Sequence, residues 1–340
     1  MRPALSILTP LGWLYGLAVS LRREAYGRGL FPRQRLRSPV ISVGGLARGG
    51  SMKTPVVIEL ARALSARGAL VGVLGHGYRG EGGRPRVVSD GENLLETARA
   101  VGDEAVLLAH ELPGCPVVVG KDKVAAGRLL EQRFGRLIVL VDSGFQHLRL
   151  FRDLDIVCVS ERDLTDRVLP SGMLRESARA LKSADLIFTD RESDAEKVAR
   201  LRAQRPADLF SAARADFGFF SHPSPGLELK APEKAFILSA IGKPERFASD
   251  VAAQGVEVVG QHVFRDHHRF SARDLGQVAT AAEKAGASAV VTTAKDAVRI
   301  PAWPGAVPLV VLAARLDIEG LPAVLKRIDK VTLARPGIGA

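Results

Sequence analysis

Eight consecutive residues, Ala47-Arg48-Gly49-Gly50-Ser51-Met52-Lys53-Thr54, have the types and order of a phosphate-binding loop in relaxed form: a small residue, four others, one more, then Lys and Thr. Such a loop cradles the phosphates of a nucleotide. Its glycines let backbone N–H groups close on the β-phosphate, and a following helix adds the positive end of its dipole. Lys53 then reaches the β/γ oxygens and the Thr54 hydroxyl can ligate Mg²⁺. Met52 departs from the pattern: it stands where a glycine precedes the lysine, so a Cβ and a long side chain must fit beside the phosphates. A second candidate is Asp142, which ends the apolar run 137–141 and sits where a strand-terminal carboxylate would hold Mg²⁺. Two further clusters, Val101-Gly102-Asp103-Glu104 and Arg265-Asp266-His267-His268, carry carboxylates and histidines. Phosphoryl transfer to a hydroxyl needs an acceptor for its proton, and an Asp supported by a His can supply one. Taken singly, each cluster is more often a cap or a solvated charge pair.

These residues need a frame that brings them to one edge. The β-branched run 39–43 reads as a strand and 55–64 has helical apolar spacing, so the loop lies between a strand and a helix as phosphate binding requires. Further strands are expected at 70–74, 116–119, 137–141, 154–159 and 184–189. Most are apolar throughout, as strands covered on both faces are. A charged helix is expected over 194–204, and the stretch 217–232, rich in Gly, Pro and Phe, reads as irregular and marks a boundary. Beyond it, strands at 234–239, 256–259, 289–292 and 308–312 and helices at 245–254, 272–285 and 321–328 make a second unit. The predicted fold is α/β: a P-loop NTPase-like parallel sheet with helices on both faces, plus a second, smaller α/β domain. The expected division is an N-terminal helix over 1–30, a P-loop domain over 31–215, a linker over 216–233 and a C-terminal α/β domain over 234–340.

Composition narrows the partners. The 340 residues carry a formal net charge of +11, which points to an anionic partner: nucleic acid, a nucleotide or a phospholipid surface. No zinc-finger spacing, RNP-like aromatic motif or basic heptad region is present, which argues against nucleic acid. Background composition is the other explanation of the many arginines. Cys115 and Cys158 each lie in or beside an apolar run and read as small buried hydrophobes in a reducing compartment, excluding a disulfide framework.

The segment 4–19 is uncharged and is followed by Arg22, Arg23, Arg28, Arg33, Arg35 and Arg37. Interrupted by Pro10, Gly12 and Gly16, it falls short of the ~20 residues of a spanning helix, and no small-residue cleavage site follows. It reads as a helix lying in a membrane interface, with Trp13 and Tyr15 at headgroup depth and the arginines on anionic lipid. The alternative is a first helix packed on its own domain.

Together these segments resemble the tetraacyldisaccharide 4'-kinases, the lipid A 4'-kinases of Gram-negative bacteria. The resemblance runs nearly end to end, through LGWLYGL at 11–17, SVGGLARGGSMKTPVV at 42–57, GHGYRG at 75–80, VGDE at 101–104 and VVVGKDKVAAGR at 117–128. It continues through DSGFQHLRLFRDLDI at 142–156, LPSGMLRES at 169–177, AIGKPERF at 240–247, FRDHHRF at 264–270 and TTAKDAVRI at 292–300. It implies a P-loop kinase on the cytoplasmic face of the inner membrane, with ATP and Mg²⁺ as cofactors. The acceptor it implies is the 4'-hydroxyl of the lipid A disaccharide precursor, tetraacyldisaccharide 1-phosphate. Carried over by position, residues 47–54 bind the nucleotide, Thr54 and Asp142 hold the metal, and Asp103 is the catalytic base with His267 supporting it. Gln146, His147, Arg175 and Glu176 match residues near the lipid headgroup or the nucleotide. Four positions depart from the family pattern: Met52 for the loop glycine, Ser143 for the second of two adjacent aspartates, Ala294 for the glutamate of a TEKD-like motif and His76 for an arginine. Since electrostatic stabilisation is a main term in phosphoryl transfer, the alternative is a catalytically impaired membrane-bound paralogue that binds nucleotide or lipid. A peripheral ATPase switch of the partitioning type would carry a lysine at position 48 and leaves the second domain unexplained.

Overall fold

Strands made of unbroken β-branched and aliphatic runs can be buried only between two layers. The computed structural model describes residues 9–47, 52–77, 83–191, 193, 196, 201, 208–222 and 227–335. The strands are β1 (Val40–Gly45), β2 (Val71–Gly75), β3 (Arg86–Ser89), β4 (Val117–Val119), β5 (Ile138–Asp142), β6 (Leu154–Val159) and β7 (Leu186–Asp190), followed by β8 (Leu209–Ser221), β9 (Glu228–Leu229), β10 (Lys234–Ser239), β11 (Glu257–Val263), β12 (Ala289–Thr293) and β13 (Leu309–Ile318). The helices are α1 (Thr9–Gly27), α2 (Lys53–Ser65), α3 (Ala98–Val101), α4 (Asp103–Glu111), α5 (Lys123–Phe134), α6 (Pro244–Ala252), α7 (Ala272–Lys284), α8 (Ala294–Ala297) and α9 (Leu321–Leu333).

Among the described residues, thirteen strands join one sheet, ordered β11-β10-β12-β13-β8-β7-β6-β1-β5-β2-β4-β3, with β9 on β8. From β8 to β4 the pairing is parallel, and β1, β2, β5 and β6 are buried along their whole length. The chain crosses from β1 over β5 to β2, and later from β5 back over β1 to β6. This reversal opens a crevice beyond the carboxyl ends of β1 and β5, where α/β sheets bind ligands.

A second lobe is built on parallel β11, β10, β12 and the first half of β13. It joins the first through one antiparallel pair, in which residues 212–221 of β8 run against 310–318 of β13. The segment 217–232, expected to be irregular, therefore begins as a strand. Phe217 and Phe219 enter the core of the second lobe two residues apart, with Gly218 between them. The helix expected at 321–328 extends to Leu333 and packs on the first lobe, with Val324, Leu325 and Ile328 among Ile41, Val43 and Val56. Arg335 fastens the end of that path, donating to Asp153 at 2.7–2.9 Å and to the Leu36 carbonyl at 2.8 Å. The helix expected over 194–204 lies outside the described residues but for Glu196 and Leu201.

The two faces of α1 differ. Gly12 and Gly16 face residues 168–171, where a Cβ on Gly12 would meet Ser171 Oγ at 2.4 Å. The glycines that shorten the apolar run are thus what lets the helix lie on the protein. Leu11, Trp13, Leu14, Leu17 and Leu21 occupy the opposite side and are exposed, Trp13 by 77%. Among the described residues no helix is long and apolar enough to cross a membrane.

Candidate active site

The loop between β1 and α2 brings its lysine and threonine to the crevice. Ala47 forms an antiparallel bridge with Leu174, whereas Arg48, Gly49, Gly50 and Ser51 lie outside the described residues. Met52 adopts φ 27°, ψ 10°, a positive φ that glycine would hold without strain, and its side chain packs against the core under α2. Lys53 is the first residue of α2. Thr54 Oγ1 donates to Asp142 Oδ2 at 2.8 Å, because β5 lies beside β1 and its last residue pairs with Val43. Ser143, at φ 59°, donates from Oγ to Asp142 Oδ1 at 3.3 Å. Burial pushes the Asp142 carboxyl above its ordinary range, opposed by the Thr54 hydrogen bond and the charges of Lys53 and Lys123. Two hard oxygens, one on a desolvated carboxylate, suit Mg²⁺, which takes one or two carboxylates and completes its shell with phosphate and water. Among the described residues no cluster of three or more His, Cys, Asp or Glu could hold a metal by itself, so Thr54 and Asp142 could supply part of a cation's shell but not a complete cage.

Lys123 is buried at the start of α5 beneath this crevice, 2% exposed. Its Nζ donates to the Gly120 carbonyl at 3.1 Å and to the Gly75 carbonyl, tying together the ends of β4 and β2. Burial pushes its ammonium down to about 7, against the pull of Asp142. His76 and His147, ring centroids 5.7 Å apart, are pushed down to about 4 and about 3 by burial and then by Lys123. Both imidazoles are neutral near pH 7.

The carboxylate of the VGDE motif is delivered by its glycine. Gly102 takes φ 91°, ψ 150°, which a side chain would not tolerate, and resets the chain between α3 and α4 so that Asp103 opens α4. Asp103 Oδ2 meets His267 Nδ1 of the second lobe at 2.8 Å, with Arg299 Nε 3.7 Å away. Burial opposes the Asp103 charge, but the His267 hydrogen bond and the charges of His267, Arg299 and Lys295 outweigh it and hold the carboxyl below its ordinary range. Its neighbour Glu104 is pushed the other way, by burial and by Asp142. His267 sits at φ 61°, a strained setting that turns its ring across the lobe boundary.

The remaining expected residues gather on the other side of the crevice. Gln146 Nε2 donates to the Gly45 carbonyl at 2.9 Å and to Glu176 Oε1 at 3.1 Å. Glu176, 5% exposed, also receives Arg23 of α1 through both oxygens, at 2.6 and 2.7 Å, and the guanidinium lies 4.0 Å from the Phe145 ring centroid. The backbone of Arg175 donates to Leu46 at 2.7 Å, and its charge reaches His76 and His147. Sequence reasoning gave no role to Lys123, Lys295 or Arg299, and it set Arg23 on anionic lipid with the other arginines, whereas the Arg23 guanidinium turns inward to buried Glu176. Arg23 stands in a string of arginines with nothing to single it out. Lys123 carried a readable signal: a lysine opening an otherwise apolar helical face directly after a strand.

The profile of the tetraacyldisaccharide-1-P 4'-kinase family matches residues 4–332. A tetraacyldisaccharide 4'-kinase of Geobacter metallireducens is 37% identical over 305 residues, covering 88% of this chain and 89% of the relative. The enzyme of that name from Desulfotalea psychrophila is 35% identical over 324 residues, covering 92% and 93%. The crystal structure of LpxK from Aquifex aeolicus in complex with ATP superposes with a TM-score of 0.80 at 26% identity, covering 97% of this chain and 99% of that one.

Proposed function

The chain belongs to the tetraacyldisaccharide-1-P 4'-kinase family, and from that membership we propose how its residues divide the work of an ATP-dependent phosphoryl transfer to the 4'-hydroxyl of tetraacyldisaccharide 1-phosphate in lipid A biosynthesis. Lys53 and the first turn of α2 take the β- and γ-phosphates. Thr54 and Asp142 hold Mg²⁺, which neutralises charge developing on the transferred group. Asp103 accepts the proton leaving the 4'-hydroxyl, and His267 orients it. Gln146, His147, Arg175 and Glu176 line the approach of the headgroup. The observation that carries this division is the 2.8 Å contact of Asp103 with His267, a carboxylate–imidazole pair assembled across two lobes.

Membrane attachment follows from the outer face of α1. Leu11, Leu14, Leu17 and Leu21 with Trp13 form an exposed apolar stripe, flanked by Arg22 and Arg28. Burying that stripe at the headgroup boundary while the arginines meet anionic lipid seats the protein peripherally on the cytoplasmic face of the inner membrane. Arg23, on the inner face of the same helix, links the seat to Glu176, so the acylated substrate is presented where the helix meets the lipid.

The test is incubation of the purified protein with terminally labelled ATP, Mg²⁺ and tetraacyldisaccharide 1-phosphate in detergent. Label at the 4'-position is expected with wild type and none with Lys53→Ala. Equal product from both proteins, or none from either, refutes the reading.

A further inference from the structure

Arg299 lies just beyond the short helix α8 on the second lobe, and its guanidinium reaches the lobe boundary. Within its own lobe Nη1 donates to the His268 carbonyl at 2.8 Å, and Nη2 donates to the Ala240 carbonyl at 3.3 Å and to Asp296 Oδ1. Asp296 is fully buried and fixed in turn, accepting from the Ala240 backbone at 3.0 Å and from Thr293 Oγ1 at 2.9 Å. A planar guanidinium can meet these separated acceptors at once, whereas a single ammonium nitrogen cannot. Its Nε–H is buried and has no hydrogen-bond partner among the described residues. Nε lies 3.7 Å from Asp103 Oδ2 of the first lobe, with the two side chains only 7% and 10% exposed. Asp103 is therefore approached from the second lobe at one oxygen: His267 Nδ1 and Arg299 Nε both lie against Oδ2. Oδ1 accepts no hydrogen bond among the described residues, yet it is not a sealed orphan atom and stays open to solvent.

We propose that Arg299 is a positioning residue for the phosphoryl transfer: together with His267 it holds Oδ2 of Asp103 from the second lobe and so leaves Oδ1 as the oxygen that takes the proton of the acceptor hydroxyl. This inference rests on the assignment of Asp103 as the proton acceptor, and it holds for either charge on His267. At 3.7 Å the contact is an ion pair and not a hydrogen bond. A buried N–H without a partner costs free energy, and shortening the gap by about 0.7 Å would supply one, so the guanidinium draws the carboxylate toward the second lobe. Its charge also favours the ionised carboxylate, which a base must be before it can accept a proton. The other charged or titratable groups around Asp103 are Glu104 on α4, Asp142 from β5, and His267 from the second lobe. Lys295 and Asp296 come from α8, the Lys295 Nζ lying 3.2 Å from His267 Nε2. Arg299 alone among the second-lobe cations is buried against both Asp103 and Asp296.

The experiment measures kcat/KM against pH for full-length wild type, Arg299→Met and Arg299→Lys, each also combined with Asp103→Asn, joined to a ¹³C NMR titration of the Asp103 carboxyl. With Asp103 in place, Arg299→Met is expected to lose about 10²-fold in kcat/KM. The acidic limb moves up by about one pH unit, and the ¹³C titration moves the same way. With Asp103→Asn in place, Arg299→Met is expected to cost little more, a result that a merely structural role would not give. Arg299→Lys keeps the charge without the fork, so it holds the limb near its wild-type position and loses less activity. Equal factors lost with and without Asp103 overturn the proposal, as does an unmoved limb in Arg299→Met. If Arg299→Met does not fold, the same cycle is run with Arg299→Lys and equal factors overturn the proposal there too. The titration is read without turnover, so an inactive wild type whose Asp103 titration depends on Arg299 refutes the kinase reading alone. An Asp103→Asn protein as active as wild type refutes the choice of base, and the proposal with it.

Discussion

Asp103 Oδ2 and His267 Nδ1, 164 residues apart in the chain, meet at 2.8 Å across the boundary between the two lobes. The first lobe supplies the carboxylate at the start of a helix, where the dipole favours it. The second supplies the imidazole from a residue held at positive φ. Neither lobe alone contains this carboxylate–imidazole pair, and the antiparallel pairing of β8 with β13 is what joins the lobes that supply it.

Met52 sits at φ 27° with its side chain directed into the core, so the loop tolerates methionine at a cost in backbone strain. Met52→Gly is expected to keep or raise kcat/KM. Met52→Val, β-branched at positive φ, is expected to lose about 1–2 kcal/mol of stability and most activity. Activity assays and denaturant midpoints measure both, and a Met52→Gly protein with sharply reduced kcat/KM would contradict this account.

Arg23 neutralises buried Glu176 with two short hydrogen bonds. Arg23→Ala leaves that carboxylate buried without its cation, which costs about 3 kcal/mol, and loosens α1 from the crevice. Denaturant unfolding is expected to show the loss, with KM for the lipid rising more than KM for ATP. Equal changes in the two would show that α1 is not tied to the lipid side.

Lys123 gives a pH dependence whose sign can be worked out. In the unfolded chain it holds its proton up to about 10.5, whereas in the fold burial releases it near 7. Between these values the unfolded state binds more protons, so stability rises with pH, by up to about 1.4 kcal/mol per pH unit. Two N–H groups remain on the neutral amine for its two carbonyl partners. Compared with Lys123→Met, wild type is expected to gain stability from pH 7 to pH 9 in parallel denaturation series. Parallel slopes for the two proteins would remove Lys123 as the cause.

The leucine stripe of α1 makes a prediction independent of chemistry. Leu14→Glu combined with Leu17→Glu is expected to abolish sedimentation with vesicles containing anionic lipid, while leaving the melting temperature within a few degrees, because both side chains are exposed. Undiminished vesicle binding would show that α1 is not the seat.

Much of the frame was legible because buried parallel strands leave unbroken apolar runs, and each such run expected from 39–43 to 308–312 became a strand. The long strand β8 was hidden because Gly218 interrupts its phenylalanines, and residues 86–89 are too short and mixed to read. Helix α9 was visible as a helix, but its partner was not: nothing in its periodicity says that Val324 and Ile328 return to the first lobe. At the site, Thr54 and Asp142 were legible as a pair because strand ends in this fold converge on one edge. From spacing, Asp103 and His267 could be suspected only as residue types, and it was the family resemblance that named them as base and support. Their meeting depends on a lobe arrangement that no local spacing encodes, and the same holds for Arg23 with Glu176 and Lys295 with His267.

The most direct test of the central claim is a double-mutant cycle on Asp103→Asn and His267→Ala, read as kcat/KM for phosphorylation of tetraacyldisaccharide 1-phosphate. If the two residues act as one proton-accepting unit, Asp103→Asn alone loses about 10²–10⁴-fold and adding His267→Ala costs little more. Losses that simply multiply would show that the residues act separately, and near-wild-type activity of Asp103→Asn would contradict the account outright.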